Sequence, residues 1–165
     1  MAIRDLLLQE LDMEQKKTRV ALERVPEAKH DFAPHAKSTN LGKLSAHLAQ
    51  LGGFAVPVLT APGLDFATAG MKPQPPAPAA ELVKVFDGGV AAVRAALAKV
   101  PDEAWTEPWK LSMGETVFFK DTRFNAYRAM YLNHLVHHRA QLGIYLRLVG
   151  VPVPSTYGPS ADESA

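Results

Sequence analysis

The sequence predicts an all-α protein, a four-helix bundle with long crossover connections. Three observations lead there. Four long segments repeat apolar residues at helical spacing, and Pro- and Gly-containing breakers separate them. The stretch between the second and third, about residues 60–78, exceeds the roughly two to eight residues usual between bundle helices. It carries Pro73, Pro75, Pro76 and Pro78, a stiff extended path that can return the chain to the other end of the bundle. Finally, 165 residues with 47% hydrophobic and 21% charged content suit one domain with a sizeable core. No repeat or second domain stands out. Residues 1–165 are read as a single domain with an irregular tail from about 151.

The first helix is expected from about Ile3 to Val25, with Leu7, Leu11, Ala21 and Leu22 on its apolar stripe and Pro26 beyond its end. Glu10, Glu14 and Lys17 interrupt that stripe. A solvated helix edge is the ordinary reading, and Glu14 is kept as a candidate pocket carboxylate. Ser38, Thr39 or Asn40 can cap a second helix over about Asn40 to Ala55. Leu41, Leu44, His47, Leu48 and Leu51 share one face, and Gly52, Gly53 and Pro57 loosen or end it. The third helix covers about Ala79 to Val100, weakened at Gly88 and Gly89 and stopped by Pro101. Residues 102–122 read as a long loop in which a short hairpin could form around Met113-Gly114, with Trp105 and Trp109 pinning it to the core. The fourth helix runs from about Arg123 to Val149, where Gly150 and then Pro152 end it.

Composition excludes several functions. With 18 Lys+Arg against 17 Asp+Glu, the net charge of +1 offers no field for nucleic acid, and no basic block is present. No apolar run approaches the roughly 18–20 residues of a membrane span. The first residues carry acids early and lack a small-residue cleavage site, so a cytoplasmic protein is expected. There is no cysteine, so thiolate nucleophiles, disulfides and Cys-based metal sites are excluded. A metal site here must use His and carboxylates.

The fourth helix contains His134, His137 and His138 within Asn-His-Leu-Val-His-His-Arg-Ala-Gln. On a wheel with Phe124 at zero, the apolar stripe centres near about 300°. His134 falls near about 280° and His138 near about 320°, while His137 lies towards the edge at about 220°. Imidazoles one turn apart can share a metal ion, or they can be core histidines hydrogen-bonded to neighbours. His47 on the apolar face of the second helix adds a third inward histidine, and bundle cores build metal sites from facing side chains in this way. No His-Glu-x-x-His motif supplies a local base. Gln141, one turn on, lies on the inward side. His30 and His35 in the first connection read as surface residues.

These residues resemble the DinB/YfiT-like superfamily of metalloenzymes, the damage-inducible DinB family. The run HLVHHRAQLGIYLRLVGVPVPSTYGPSADE resembles the family's closing segment, FAPHAKSTNLGKLSAHLAQL its second-helix entry, and EQKKTRVALERVPE an early segment. Ala140 departs from the Gly common after the Arg; it adds a methyl group and leaves the histidines alone. The resemblance implies an up-down-down-up course, a homodimer and a stress-response setting. It also implies a divalent ion held by His47, His134 and His138, and imidazole ligands suit zinc or nickel. Some members are thiol-dependent S-transferases and isomerases.

The expected function is a metal-dependent enzyme acting on a small molecule, with a low-molecular-weight thiol for S-transfer or isomerisation. A hydrolase using metal-activated water and a non-catalytic metal-binding bundle are the alternatives. The catalytic residues are unassigned, with Glu14 and Gln141 as pocket candidates. No nucleic-acid or membrane partner is expected. Dimerisation would cover Leu132, Val136 and Ile144, which fall outside the central stripe.

Overall fold

The amphipathic segments form helices, but helices do not make up the whole fold. The computed structural model describes residues 2–164. Helix α1 spans Ile3–Glu23, α2 Leu41–Thr60 and α3 Ala79–Leu97. The last helical rod begins as α4 (Arg123–Tyr127), passes through a π-helical stretch, Arg128–Leu132, and continues as α5 (Asn133–Leu148). Helix α3 packs on α1 and α2, and α5 closes the arrangement against both. Leu11, Leu22, Leu48, Leu51, Leu82 and Leu142 fill the space between them with no exposed surface. Among the described residues no helix is long and apolar enough to cross a membrane.

The all-α expectation is overturned by a three-stranded sheet, which makes the fold mixed α/β. Its strands are β1 (Gly63–Asp65), β2 (Pro108–Met113) and β3 (Thr116–Thr122), in that order across the sheet. β1 runs parallel to β2, and β2 antiparallel to β3. Both expected loops are therefore structured. Met113 pairs with Thr116, so Gly114 and Glu115 form a two-residue hairpin loop. Gly114 has φ +59° and Glu115 keeps a negative φ, the sign pattern of a tight hairpin turn with glycine first. Leu111 pairs with Phe119 and Ser112 with Val117, which leaves Phe118 as a bulge residue. β1 has little strand propensity of its own, and the tertiary fold supplies its partner. Phe66 N–H continues the ladder to the Ser112 carbonyl at 2.9 Å. Asp65 Oδ1 accepts from the N–H groups of Ala67 and Gly114, both at 2.9 Å, and ties β1 to the hairpin tip.

Helix α2 was expected to end near Ala55 and instead continues through Gly52, Gly53 and Pro57 to Thr60. Two tertiary features sustain it. The Arg123 guanidinium, itself buried, donates to the carbonyls of Val58 at 2.6 Å and Ala61 at 2.9 Å, and Trp109 Nε1 donates to that of Pro57 at 3.4 Å. The Arg123 bonds satisfy carbonyls that the helix end leaves without partners, and Trp109 adds a second donor to the Pro57 carbonyl, which also accepts from Ala61 N–H. Gly52 also lets α2 meet α3 backbone to backbone, since a Cβ there would lie 2.7 Å from Gly89 Cα.

A paired substitution tests this crossing. Gly52→Ala gains about 1 kcal/mol of helix propensity. It also forces two backbones apart, and overpacking costs about 1–3 kcal/mol. Backbone atoms cannot rotate away, so net destabilisation is expected in urea unfolding. Gly88→Ala, with no atom within 4 Å of the added Cβ, should stabilise by roughly 0.5–1 kcal/mol. A gain from both substitutions would show that the close approach carries no energetic weight.

Candidate metal centre

Helix α2 presents His47 about two turns beyond its Asn40 cap, whose side chain accepts from Lys43 N–H at 2.9 Å. Helix α5 presents His134 and His138 one turn apart. The three rings converge: His47 Nε2 lies 3.4 Å from His134 Nε2, which lies 2.8 Å from His138 Nε2. All three ligand atoms fall within 4.8 Å of one another, and all three residues are half-buried. His137, on the neighbouring face, is exposed and outside the group.

Hydrogen bonding on the far side of each ring sets its tautomer. His138 Nδ1 donates to Gln141 Oε1 at 2.7 Å, so its Nε2 carries a lone pair. The Met130 backbone, one turn earlier, favours a proton on the His134 ring. His134 Nε2 faces the His138 lone pair at 2.8 Å, and ring nitrogens held that close need a proton or a cation between them. That geometry fits a divalent ion. Tetrahedral Zn–N bonds of about 2.0–2.1 Å place neighbouring nitrogens roughly 3.4 Å apart. The His47–His134 separation already has that value, and the His134–His138 pair would open by a few tenths of an ångström.

The electrostatics favour neutral imidazoles. Burial lowers the pKa of His47 to about 4, with the charges of His138 and His134 adding to the effect. Burial likewise lowers His134 and His138. In the unfolded chain these groups titrate near about 6.5. Between those values the unfolded chain binds more protons, so this contribution to stability is present above about pH 6.5 and is lost as pH falls towards 4. Because the site is half open to water, its size is expected at about 1–3 kcal/mol in total rather than the full value of the shifts. Urea unfolding of metal-free protein between pH 7.5 and about 4.5 reads it, with the triple His→Gln variant giving a flatter profile. Parallel profiles would show that the three rings titrate as in the unfolded chain.

A cavity of about 230 Å³ opens onto His47 and His134. Phe54, Leu64, Phe66, Trp109, Leu111 and Met130 complete its wall. Phe54 and Phe66 meet edge to face at 6.0 Å. Leu64, Trp109 and Leu111 come from the sheet, so the strands close one side of the site. Sequence reasoning missed this wall. Phe54 lies seven residues after His47 and Met130 four before His134, spacings that place each on its histidine's face. No sequence signal marked Leu64, Phe66 or Leu111.

Glu14, the candidate pocket carboxylate, is buried elsewhere. Its Oε2 accepts from Tyr157 O–H and is ion-paired with Arg139 Nη2, both at 2.7 Å, and Lys17 Nζ lies 3.4 Å from Oε1. Burial alone would raise its pKa. The hydrogen bonds from Tyr157 and Arg139 and the charges of Arg139 and Lys17 outweigh that and hold the carboxyl below its ordinary value. Gln141 does join the histidines, through His138. Of the remaining candidates, His35 is exposed, His30 is half-buried beside Gly42, and Trp105 and Trp109 are each 1% exposed against the core.

Fold and site together define a mixed α/β domain carrying a three-histidine group that could hold a metal ion. A family model, the DinB superfamily, matches residues 10–142, and the chain belongs to that superfamily. Solved structures share the fold. A DinB-like protein of Bacillus subtilis has a TM-score of 0.70 at 14% identity, covering 92% of this chain and 96% of its own. A DinB-like protein of Bacillus cereus has a TM-score of 0.67 at 20% identity, covering 91% and 95%. No curated protein matches the chain.

Proposed function

We propose that this protein is a metal-dependent enzyme in which His47, His134 and His138 hold one divalent ion, zinc or nickel, beside a small-molecule pocket. The observation that carries the reading is the convergence of the three Nε2 atoms beside a cavity that His47 and His134 line. A purely structural metal staple would sit in a filled core. When bound by neutral ligands, such an ion keeps its full charge and lowers the pKa of a coordinated thiol or water.

Between thiol and water routes, the wall supports the thiol. A hydrolytic route needs a general base within reach. Among the described residues no Asp or Glu lines the cavity, and Glu14 is committed to Arg139 and Tyr157. A thiol starts from a pKa near about 8.5, against about 15.7 for water, so on the ion it ionises at neutral pH and passes its proton to solvent without a protein base. Because the chain has no cysteine, the thiol is a separate low-molecular-weight molecule, used for S-transfer or isomerisation. In this reading His47, His134 and His138 present lone pairs, Gln141 holds His138 in its tautomer, and the aromatic wall excludes water.

Cobalt-substituted protein tests the proposal. Titration with cysteine-type thiols is expected to produce a sulfur-to-metal charge-transfer band. A spectrum unchanged by thiols but shifted by acetate or phosphate rejects thiol activation. The reading includes a homodimer. Leu132, expected at its interface, is in the core at 1% exposure, whereas Ile144 and Leu148 are 62% and 56% exposed on α5. A second copy would cover these two, and sedimentation showing only a 17.9 kDa species at micromolar concentration would reject it.

A further inference from the structure

The cavity beside the histidines has a chemical character of its own. Its wall is made of Phe54, Leu64, Phe66, Trp109, Leu111 and Met130, with His47 and His134 at one end. No Lys, Arg, Asp or Glu lines it among the described residues. The one polar atom that Trp109 could offer, its indole N–H, is turned away to the Pro57 carbonyl. Phe54 stands edge to face against Phe66 and 6.2 Å from the His47 ring, so an aromatic surface reaches up to the ligand group.

From this we infer that the cavity binds the uncharged aromatic or branched-apolar part of a small substrate, whose donor group is presented to His47 and His134. The inference rests on the proposed metal-dependent function for the donor group alone. Size agrees with the chemistry. An apolar cavity of about 150 Å³ holds a benzene ring, and the 230 Å³ here takes a ring with a substituent. A carboxylate or ammonium carried into this wall would lose its hydration and find no partner. A charged group therefore stays outside this wall. A compact aryl or alkyl compound with a single donor fits well.

Three fluorinated probes separate the possibilities: para-fluorotoluene, para-fluorobenzoate and para-fluorobenzylammonium. Each is titrated by fluorine NMR into folded protein, both metal-free after chelation and zinc-loaded. Saturable binding of fluorotoluene is expected in both forms. In the metal-free form the two charged probes should bind at least about tenfold more weakly. Leu64→Trp and Leu111→Trp, made separately so that one folded variant suffices, should each abolish fluorotoluene binding by filling the cavity. Absence of saturable fluorotoluene binding overturns the inference, as does equal affinity for the charged probes or unchanged binding in both filled variants. The metal reading fails separately: if fluorotoluene binds while zinc does not, the ligand group is wrong and the apolar pocket stands.

Discussion

Replacing His134 with alanine is expected to abolish stoichiometric zinc binding, while His137→Ala leaves it intact. Metal content after dialysis of untagged protein reads the difference. His134 Nε2 is the central atom of the group, 3.4 Å from one neighbour and 2.8 Å from the other. Its removal leaves His47 and His138 without the nitrogen between them. His137 sits exposed on the next face and contributes none of the three converging atoms. Gln141→Ala should have an intermediate effect, a loss of affinity of roughly 10–100-fold, because it frees the His138 ring without deleting a ligand. Equal loss of metal from the His134 and His137 variants would place the site on the wrong face of α5.

The second large effect is expected from Arg139→Ala, which should destabilise the fold by about 3 kcal/mol. Arg139 is 4% exposed, and its Nη2 contacts Glu14 Oε2 at 2.7 Å. Its Nη1 donates to the Glu14 carbonyl and to Thr18 Oγ1, both at 3.2 Å. Removing it leaves the Glu14 carboxylate buried with only Tyr157 and Lys17 nearby. A fall in Tm of roughly 6–12 °C is expected for a chain of this length. Combining Arg139→Met with Glu14→Leu should recover much of the loss, since an apolar pair of similar volume carries no buried charge. Additive losses in the double variant would show that packing, and not the uncompensated carboxylate, sets the cost.

The histidine pair shows how near and how far a helical wheel reaches. At 100° per residue His134 and His138 fall in the middle of the buried stripe. In the structure that stripe carries Leu135, Arg139, Leu142, Tyr145 and Leu146, and Leu148 is 56% exposed. The π-helical stretch Arg128–Leu132 accounts for the change: Asn133 N–H bonds five residues back to the Arg128 carbonyl. An extra residue in the turn slips the phase by about 100°. The slip moves both histidines from the centre of the core to its margin, where half-burial leaves room for a cavity. It also carries Leu132 into the core and leaves Ile144 outside.

Much was legible without coordinates. Apolar periodicity marked all four helical segments, and α2 starts behind its expected Asn40 cap and α3 behind Pro78 because capping and proline signals act locally. Residue type and spacing also singled out the three histidines that come together, since ligands one turn apart on one helix are a local pattern and His47 interrupts an otherwise apolar face. The hairpin was legible at Met113-Gly114, where the structure has it, but the sheet as a whole was not. β1 is three residues, Gly63–Asp65, with a glycine and an aspartate, and it becomes a strand only by pairing with Lys110–Ser112, far along the chain. The extension of α2 past Pro57 depends on Arg123, sixty-odd residues away, bonding its last carbonyls. Glu14 likewise reads as a pocket acid on its own helix, and Arg139 and Tyr157 claim it from distant segments. Local chemistry thus names the helices and the metal-competent side chains, because both follow from short-range spacing. The wall around those side chains, and with it the kind of molecule they meet, comes from long-range pairing that no window of sequence contains.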